Sequence, residues 1–157
     1  MGIALALQEY LKGRGVAYQV MSHDRTLHSL ATAHVSCIPQ DQLAKGVLIK
    51  RKDRYLLAIV PASCQVRLRE LERWLGQPVS LANEAEVTTI FDDCEPGSIP
   101  PVAGAYRLQA VMDECLEGFN HIYFEGGDHR TLVHVTGREF RRLLADVPHA
   151  RISAPIH

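Results

Sequence analysis

Apolar residues recur at helical spacing at Ile3, Leu7, Tyr10 and Leu11, and Gly13 and Gly15 close that helix. Val16 to Met21 reads as a strand. A short helix is predicted over Ser29 to Val35, with Pro39 ending it. Ala44 to Ile49 is a compact apolar strand holding one lysine. Arg51-Lys52-Asp53-Arg54 is a polar turn, and Tyr55 to Val60 returns, so the two runs form a β-hairpin. Leu68, Leu71, Trp74 and Leu75 make a helical stripe that stops at Gly76, followed by a short strand at Pro78 to Leu81. Asn83 with Glu86 has the form of a capping box opening a helix to about Phe91. After a Pro- and Gly-rich acidic loop from Asp92 to Pro101, strands are predicted at Leu108 to Met112, His121 to Glu125 and Leu132 to Val135. Thr136 and Glu139 form a second capping box before a helix carrying Phe140, Leu143 and Leu144.

Strands and helices alternate, yet several neighbouring strands are joined by tight turns. That combination predicts an α/β domain with a mixed sheet, because strictly parallel strands need long crossovers. The 157 residues suit one domain. From Pro148 onward no periodicity is visible, so the expected division is a domain over 1–147 and a loosely ordered tail over 148–157. Apolar residues make up 46% and charged residues 22%, as in ordinary globular chains. No apolar run approaches the roughly 18 residues of a membrane helix. A basic stretch followed by a long apolar run is missing from the start of the sequence, and the expectation is a cytoplasmic protein.

The net charge is -1 with eight histidines uncounted, whereas proteins that grip long nucleic-acid tracts are basic overall. Any such contact is therefore expected to be local. Eight basic residues between Lys45 and Arg73 (Lys45, Lys50, Arg51, Lys52, Arg54, Arg67, Arg69, Arg73) face three acidic ones, Asp53, Glu70 and Glu72. Such a run is either a solvated hairpin and helix face or a patch that receives phosphates. Cys37, Cys64, Cys94 and Cys115 lack paired C-x-x-C spacing, which argues against a zinc cluster and favours small buried thiols. No metal and no cofactor is expected, and no phosphate-cradling glycine motif is present.

Lys45 shares a strand face with Val47 and Ile49 by alternation. A lysine on such a face needs a partner, since a buried unpaired ammonium is costly. It can pair with a carboxylate, snorkel to the surface or await an anionic ligand. The loop Glu95-Pro96-Gly97-Ser98-Ile99-Pro100-Pro101 is stiffened by three prolines, while Gly97 permits unusual dihedrals or a close ligand approach. It is an ordinary turn or a fixed wall that reads a small polar ligand. His129 and His134 are five apart across a strand and point to opposite faces, so shared metal ligation is not expected. His23, beside Asp24, is a candidate base. No nucleophile elbow is present.

These residues together resemble the YbaK family of aminoacyl-tRNA deacylases, related to the editing domain inserted in some bacterial prolyl-tRNA synthetases. The resemblance rests on His23-Asp24, on the lysine-bearing strand Gln42 to Ile49, and on its partner Tyr55 to Pro61. It rests also on the G-x-x-x-P loop Gly97 to Pro101, on Asp113 after a strand, and on Ile122-Tyr123-Phe124-Glu125-Gly126-Gly127. It implies a single domain with a curved mixed β-sheet flanked by helices, and hydrolysis of mischarged aminoacyl-tRNA bearing small amino acids. Lys45 would be the catalytic residue. Gly97, Ser98, Ile99 and Pro101 would hold the aminoacyl group, with His129 and Asp113 lining the pocket. Where some members carry a second glycine in the loop, this chain has Pro96 before Gly97. The implied partner is the acceptor end of mischarged aminoacyl-tRNA, with an aminoacyl-tRNA synthetase as an optional second one.

The chemistry suits that reading. Ester hydrolysis develops negative charge on the carbonyl oxygen, which a lysine and backbone N–H groups stabilise. Water or the ribose hydroxyl of the substrate can attack an activated ester without a side-chain nucleophile. Two other readings stay open at the level of sequence. One is a non-catalytic module that binds aminoacyl-tRNA or an amino acid, and the other is a hydrolase of small esters. Which amino acid, which tRNA and which oligomeric state are not encoded in any motif.

Overall fold

The computed structural model describes residues 2–26 and 29–156. The first helix, α1, spans Leu5–Gly13 and buries Leu7 and Leu11. Strand β1 is Gln19–Ser22, shorter than the sequence pattern suggests, and α2 is Ser29–Val35. The expected hairpin is β2, Leu43–Arg51, and β3, Arg54–Pro61, paired from Ala44↔Pro61 to Arg51↔Arg54. Its tip places Lys52 at φ 52°, in the left-handed region that tight turns demand.

A three-residue strand that the pattern did not predict, β4 (Cys64–Val66), leads into α3 (Leu68–Leu75). Gly76, at φ 73°, ends α3 as expected of a left-handed cap. Then come β5 (Ser80–Leu81), α4 (Glu84–Ile90), β6 (Gln109–Asp113), β7 (His121–Glu125), β8 (Thr131–Thr136) and α5 (Gly137–Leu143). The chain continues with β9 (His149–Ala150) and β10 (Ser153–Pro155).

Among the described residues the main sheet runs β1-β8-β7-β2-β3-β6-β9, with β5 added to β2. Pairing is parallel for β2–β7, β3–β6 and β6–β9 and antiparallel elsewhere, so the sheet is mixed. Strand β3 sits centrally and is buried on both faces. Leu57 and Ile59 join the larger core with Leu7, Leu11, Phe124 and Phe140. Leu56, Ala58 and Val60 join a second core with Leu71 and Ile152. This double burial explains why β3 reads as a continuous apolar run rather than an alternating one.

Both predicted caps form, to different extents. The Asn83 carboxamide accepts from Glu86 N at 2.8 Å while the Glu86 carboxylate accepts from Asn83 N at 2.9 Å. The Thr136 hydroxyl accepts from Glu139 N at 3.2 Å, but the Glu139 carboxylate turns to Arg142 instead of closing the box. Asn83→Ala is expected to cost about 1 kcal/mol of stability, read as a lower urea midpoint with an unchanged slope. An unchanged midpoint would show that α4 does not depend on its cap.

The segment from Pro148 is not a loose tail. It pairs β9 with β6 and β10 with β4, and Ile152 is fully buried. Short two- and three-residue strands carry no detectable periodicity, which is why the sequence concealed them.

Candidate functional site

The site begins with a gap in the sheet. Strand β2 pairs with β7 only at Leu43↔Tyr123 and Ala44↔Phe124. On that same side it next pairs with β5, at Ile49 and Lys50. Lys45, Gly46 and Val47 lie between the two pairings, and β7 ends at Glu125, one residue past its last partner. Parallel register therefore sets Lys45 and Glu125 side by side at the point where the sheet opens. A cleft of about 370 Å³ occupies the opening, lined by Ser29, Leu30, Ala44, Lys45, Gly46, Val47, Gly97, Ile99, Glu125 and Ile156. A larger cleft of about 520 Å³ beside Tyr10, Trp74 and Leu143 holds none of the predicted site residues. The Lys45 cleft is singled out by its chemistry, not by its size.

Lys45 is partly buried, and among the described residues no carboxylate forms an ion pair with it. Burial lowers its pKa from the ordinary lysine value, with the neighbouring Cys64 opposing. Of the fates open to this lysine, the structure favours an ammonium without a protein partner facing a cleft.

Glu125 is only 4% exposed, yet it lines the same cleft. Its Oε2 accepts from the Thr32 hydroxyl at 2.6 Å, and Thr32 in turn meets the Thr26 hydroxyl at 2.5 Å. Its Oε1 lies 3.2 Å from His23 Nε2. The other ring nitrogen, Nδ1, donates to the Asp24 carbonyl at 2.6 Å. A carbonyl can only accept, so Nδ1 carries the hydrogen of that bond. His23 is thus built into the wall behind Glu125.

The loop from Cys94 to Pro101 forms the opposite wall. Glu95 N donates to the Gly127 carbonyl at 2.7 Å, and Gly127 adopts φ 125°. A Cβ there would also approach Cys94 Sγ at 3.2 Å, so this position needs glycine. Arg25 pairs with the Glu95 carboxylate, and His129 Nε2 donates to the Pro96 carbonyl. Gly97, at φ 87°, and Ile99 then face the cleft.

The predicted residues therefore divide. Lys45, Gly97 and Ile99 come together. Ser98 is fully buried; its N–H and hydroxyl both donate to the Glu95 carbonyl, at 3.2 and 2.8 Å, so neither is offered to a ligand. Pro101 is buried beneath the loop. His129, 2% exposed, braces the loop from behind and is absent from the cleft lining. Asp113 lies elsewhere: its carboxylate accepts from Cys115 N at 2.8 Å, Ile152 N at 3.0 Å and the Ser153 hydroxyl at 2.7 Å. Glu125 carries no local signal that marks it as a cleft residue. Only the parallel register brings it beside Lys45.

The basic run also divides. Lys50 is paired with Glu86 at 2.9 Å, and Glu86 is pulled down to about 2 by the Tyr55 hydroxyl, Asn83 N and Lys50. Lys52 and Arg54 stay at the hairpin tip. Arg67 and Arg69 join Arg151 along a third cleft, lined also by Ser153 and Ala154 of β10. Cys37 and Cys115 are exposed, contrary to the expectation of four buried thiols. Among the described residues no group of three or more His, Cys, Asp or Glu side chains could hold a metal, and no helix is long and apolar enough to cross a membrane.

Residues 23–143 match the model of the aminoacyl-tRNA editing domain. The chain belongs to that family. The editing domain's boundaries enclose Lys45, the Gly97 loop and Glu125, and stop short of β9 and β10. A "putative trans-editing enzyme for prolyl tRNA synthetase" has the same fold, with a TM-score of 0.83 at 24% identity over 95% of each chain. A hypothetical protein superposes with a TM-score of 0.84 at 20% identity, covering 95% of this chain and 99% of its own. At these identities the likeness shows the fold. Among curated proteins no sequence matches the chain.

Proposed function

We propose that this editing domain is a hydrolase that deacylates mischarged tRNA carrying small amino acids. The observation that carries the reading is the half-buried, unpaired Lys45 facing a cleft shared with Glu125 and the Gly97 loop, in a chain of the editing family. The substrate presents an ester carbonyl, a cationic α-amino group and nearby phosphates. Lys45 supplies positive charge where the carbonyl oxygen becomes negative, or to the adjoining phosphate. Glu125, already held by Thr32 and His23, is placed to face the α-ammonium. Gly97 lets the loop approach the aminoacyl group closely. Water or the terminal ribose hydroxyl is the nucleophile, so no serine or cysteine is required. An apolar pocket separates amino acids by only about 1–3 kcal/mol per methylene, which is why a second hydrolytic site is needed at all.

The test is loss of radiolabelled amino acid from a panel of mischarged tRNAs, chiefly tRNA(Pro), tRNA(Cys) and tRNA(Ala), with wild type and Lys45→Ala. Hydrolysis by the wild type alone supports the deacylase. No hydrolysis of any pair moves the assignment to a binding module, and turnover of small esters without tRNA moves it to a general esterase.

The lowered pKa of Lys45 gives a second expectation. Activity depends on the ammonium, so deacylation falls as pH rises through the folded pKa, at a lower pH than the ordinary lysine value of about 10.4. Spontaneous ester hydrolysis is subtracted at each pH. In Lys45→Arg the charge persists, and whatever activity remains should not show that alkaline limb.

A further inference from the structure

We propose that Ile156 limits the size of the amino-acid side chain that enters the Lys45 cleft, and that Asp113 is the positioning residue that holds it there. This rests on the deacylase reading of the cleft. The residues that match the family model end at 143, and the segment that delivers Ile156 lies beyond them.

That segment is fastened at every step. Met112 N donates to the Pro148 carbonyl at 2.9 Å, and β9 then lies parallel to β6. One oxygen of Asp113, which is 1% exposed, takes both Ile152 N and the Ser153 hydroxyl. Arg67 N donates to the Ile152 carbonyl at 2.7 Å, and β10 pairs with β4 from Ser153↔Val66 to Pro155↔Cys64. Ile156 N closes the series with a 2.9 Å bond to the Ser63 carbonyl. The backbone of Ile156 is therefore pinned, and the residue lines the cleft.

The cleft is divided in its chemistry. Among the described residues Lys45 and Glu125 provide its charges, while Leu30, Val47, Ile99 and Ile156 provide apolar surface. The charged pair fits the ester and the α-ammonium, which leaves the apolar groups to meet the side chain of the amino acid. Ile156 is 40% exposed, so it stands at the mouth and not in the core. A β-branched side chain directly after a pinned strand has few rotamers with which to yield, and it acts as a steric limit.

The experiment compares kcat/KM for one tRNA charged with alanine and with valine or leucine. Ile156→Ala is expected to raise the bulky-to-small ratio by about tenfold or more, the scale that an apolar pocket sets for a methylene or two. Ile156→Leu should restore most of the wild-type ratio. Asp113→Asn should move the ratio in the same direction, and in the Ile156→Ala background it should move it no further, because its effect passes through Ile156. A merely structural aspartate would lower folding in both backgrounds without touching the ratio. Turnover with an unchanged ratio in a folded Ile156→Ala overturns the gate alone. No turnover by the wild type with any ester overturns the deacylase reading, and the gate with it.

Discussion

Lys45→Ala is expected to lower kcat for deacylation by about 10²–10³, the loss seen when one preorganised group that stabilises a developing oxyanion is removed. The reasoning is local. Among the described residues Lys45 has no ion-pair partner, and it lies where β2 and β7 stop pairing. Its charge has already lost part of its hydration, so it acts on an ester more strongly than a solvated lysine would. The same substitution should leave stability nearly unchanged, since no ion pair is broken and a desolvated charge is removed. Chemical denaturation and single-turnover hydrolysis, measured on the same preparation, separate the two effects. A folded Lys45→Ala that hydrolyses every ester at the wild-type rate would remove the lysine from the chemistry.

Asp113→Ala is expected to be the most destabilising of the site-directed changes considered, at about 3 kcal/mol or more. It leaves the buried N–H group of Ile152, and with it the Cys115 N–H and the Ser153 hydroxyl, without their acceptor. In a domain of this size that is a fall in Tm of roughly 6–12 °C. The carboxylate also titrates. Burial alone would raise its pKa, but the bonds from Cys115 N, the Ser153 hydroxyl and Ile152 N bring the folded value below the ordinary one. The stability from a depressed carboxylate is present above the unfolded pKa of about 3.9 and is lost as pH falls through the folded value. Wild type should therefore lose stability below about pH 4 more steeply than Asp113→Asn. Equal acid slopes would show that Asp113 contributes no linked protonation.

Asp113 also shows how far a motif carries. Its place after a strand was legible in the sequence, but the resemblance put it in the pocket. In the structure it anchors residues 152 and 153, some forty positions away. Lys45 behaved differently, because alternation along β2 fixes its face and a lysine between apolar neighbours advertises a demand for a partner. The loop was legible as stiff from its prolines. That Ser98 points inward while Gly97 and Ile99 face the cleft was not, since it depends on His129 holding the Pro96 carbonyl from behind.

The sequence by itself determined the elements with strong local signals: α1, α3, α4, the β2–β3 hairpin, β7, and the mixed α/β class. Periodicity, caps and turn residues act over a few positions, so they can be read one window at a time. The tertiary structure alone decided what meets across the cleft. The register of β2 with β7 brings Glu125 to Lys45, and the pairing of β10 with β4 brings Ile156 over both. Lys45 is about eighty positions from Glu125 and about one hundred and ten from Ile156, and these meetings are fixed by sheet pairing and by one buried carboxylate. No local pattern in a single chain encodes which distant strand will be its neighbour.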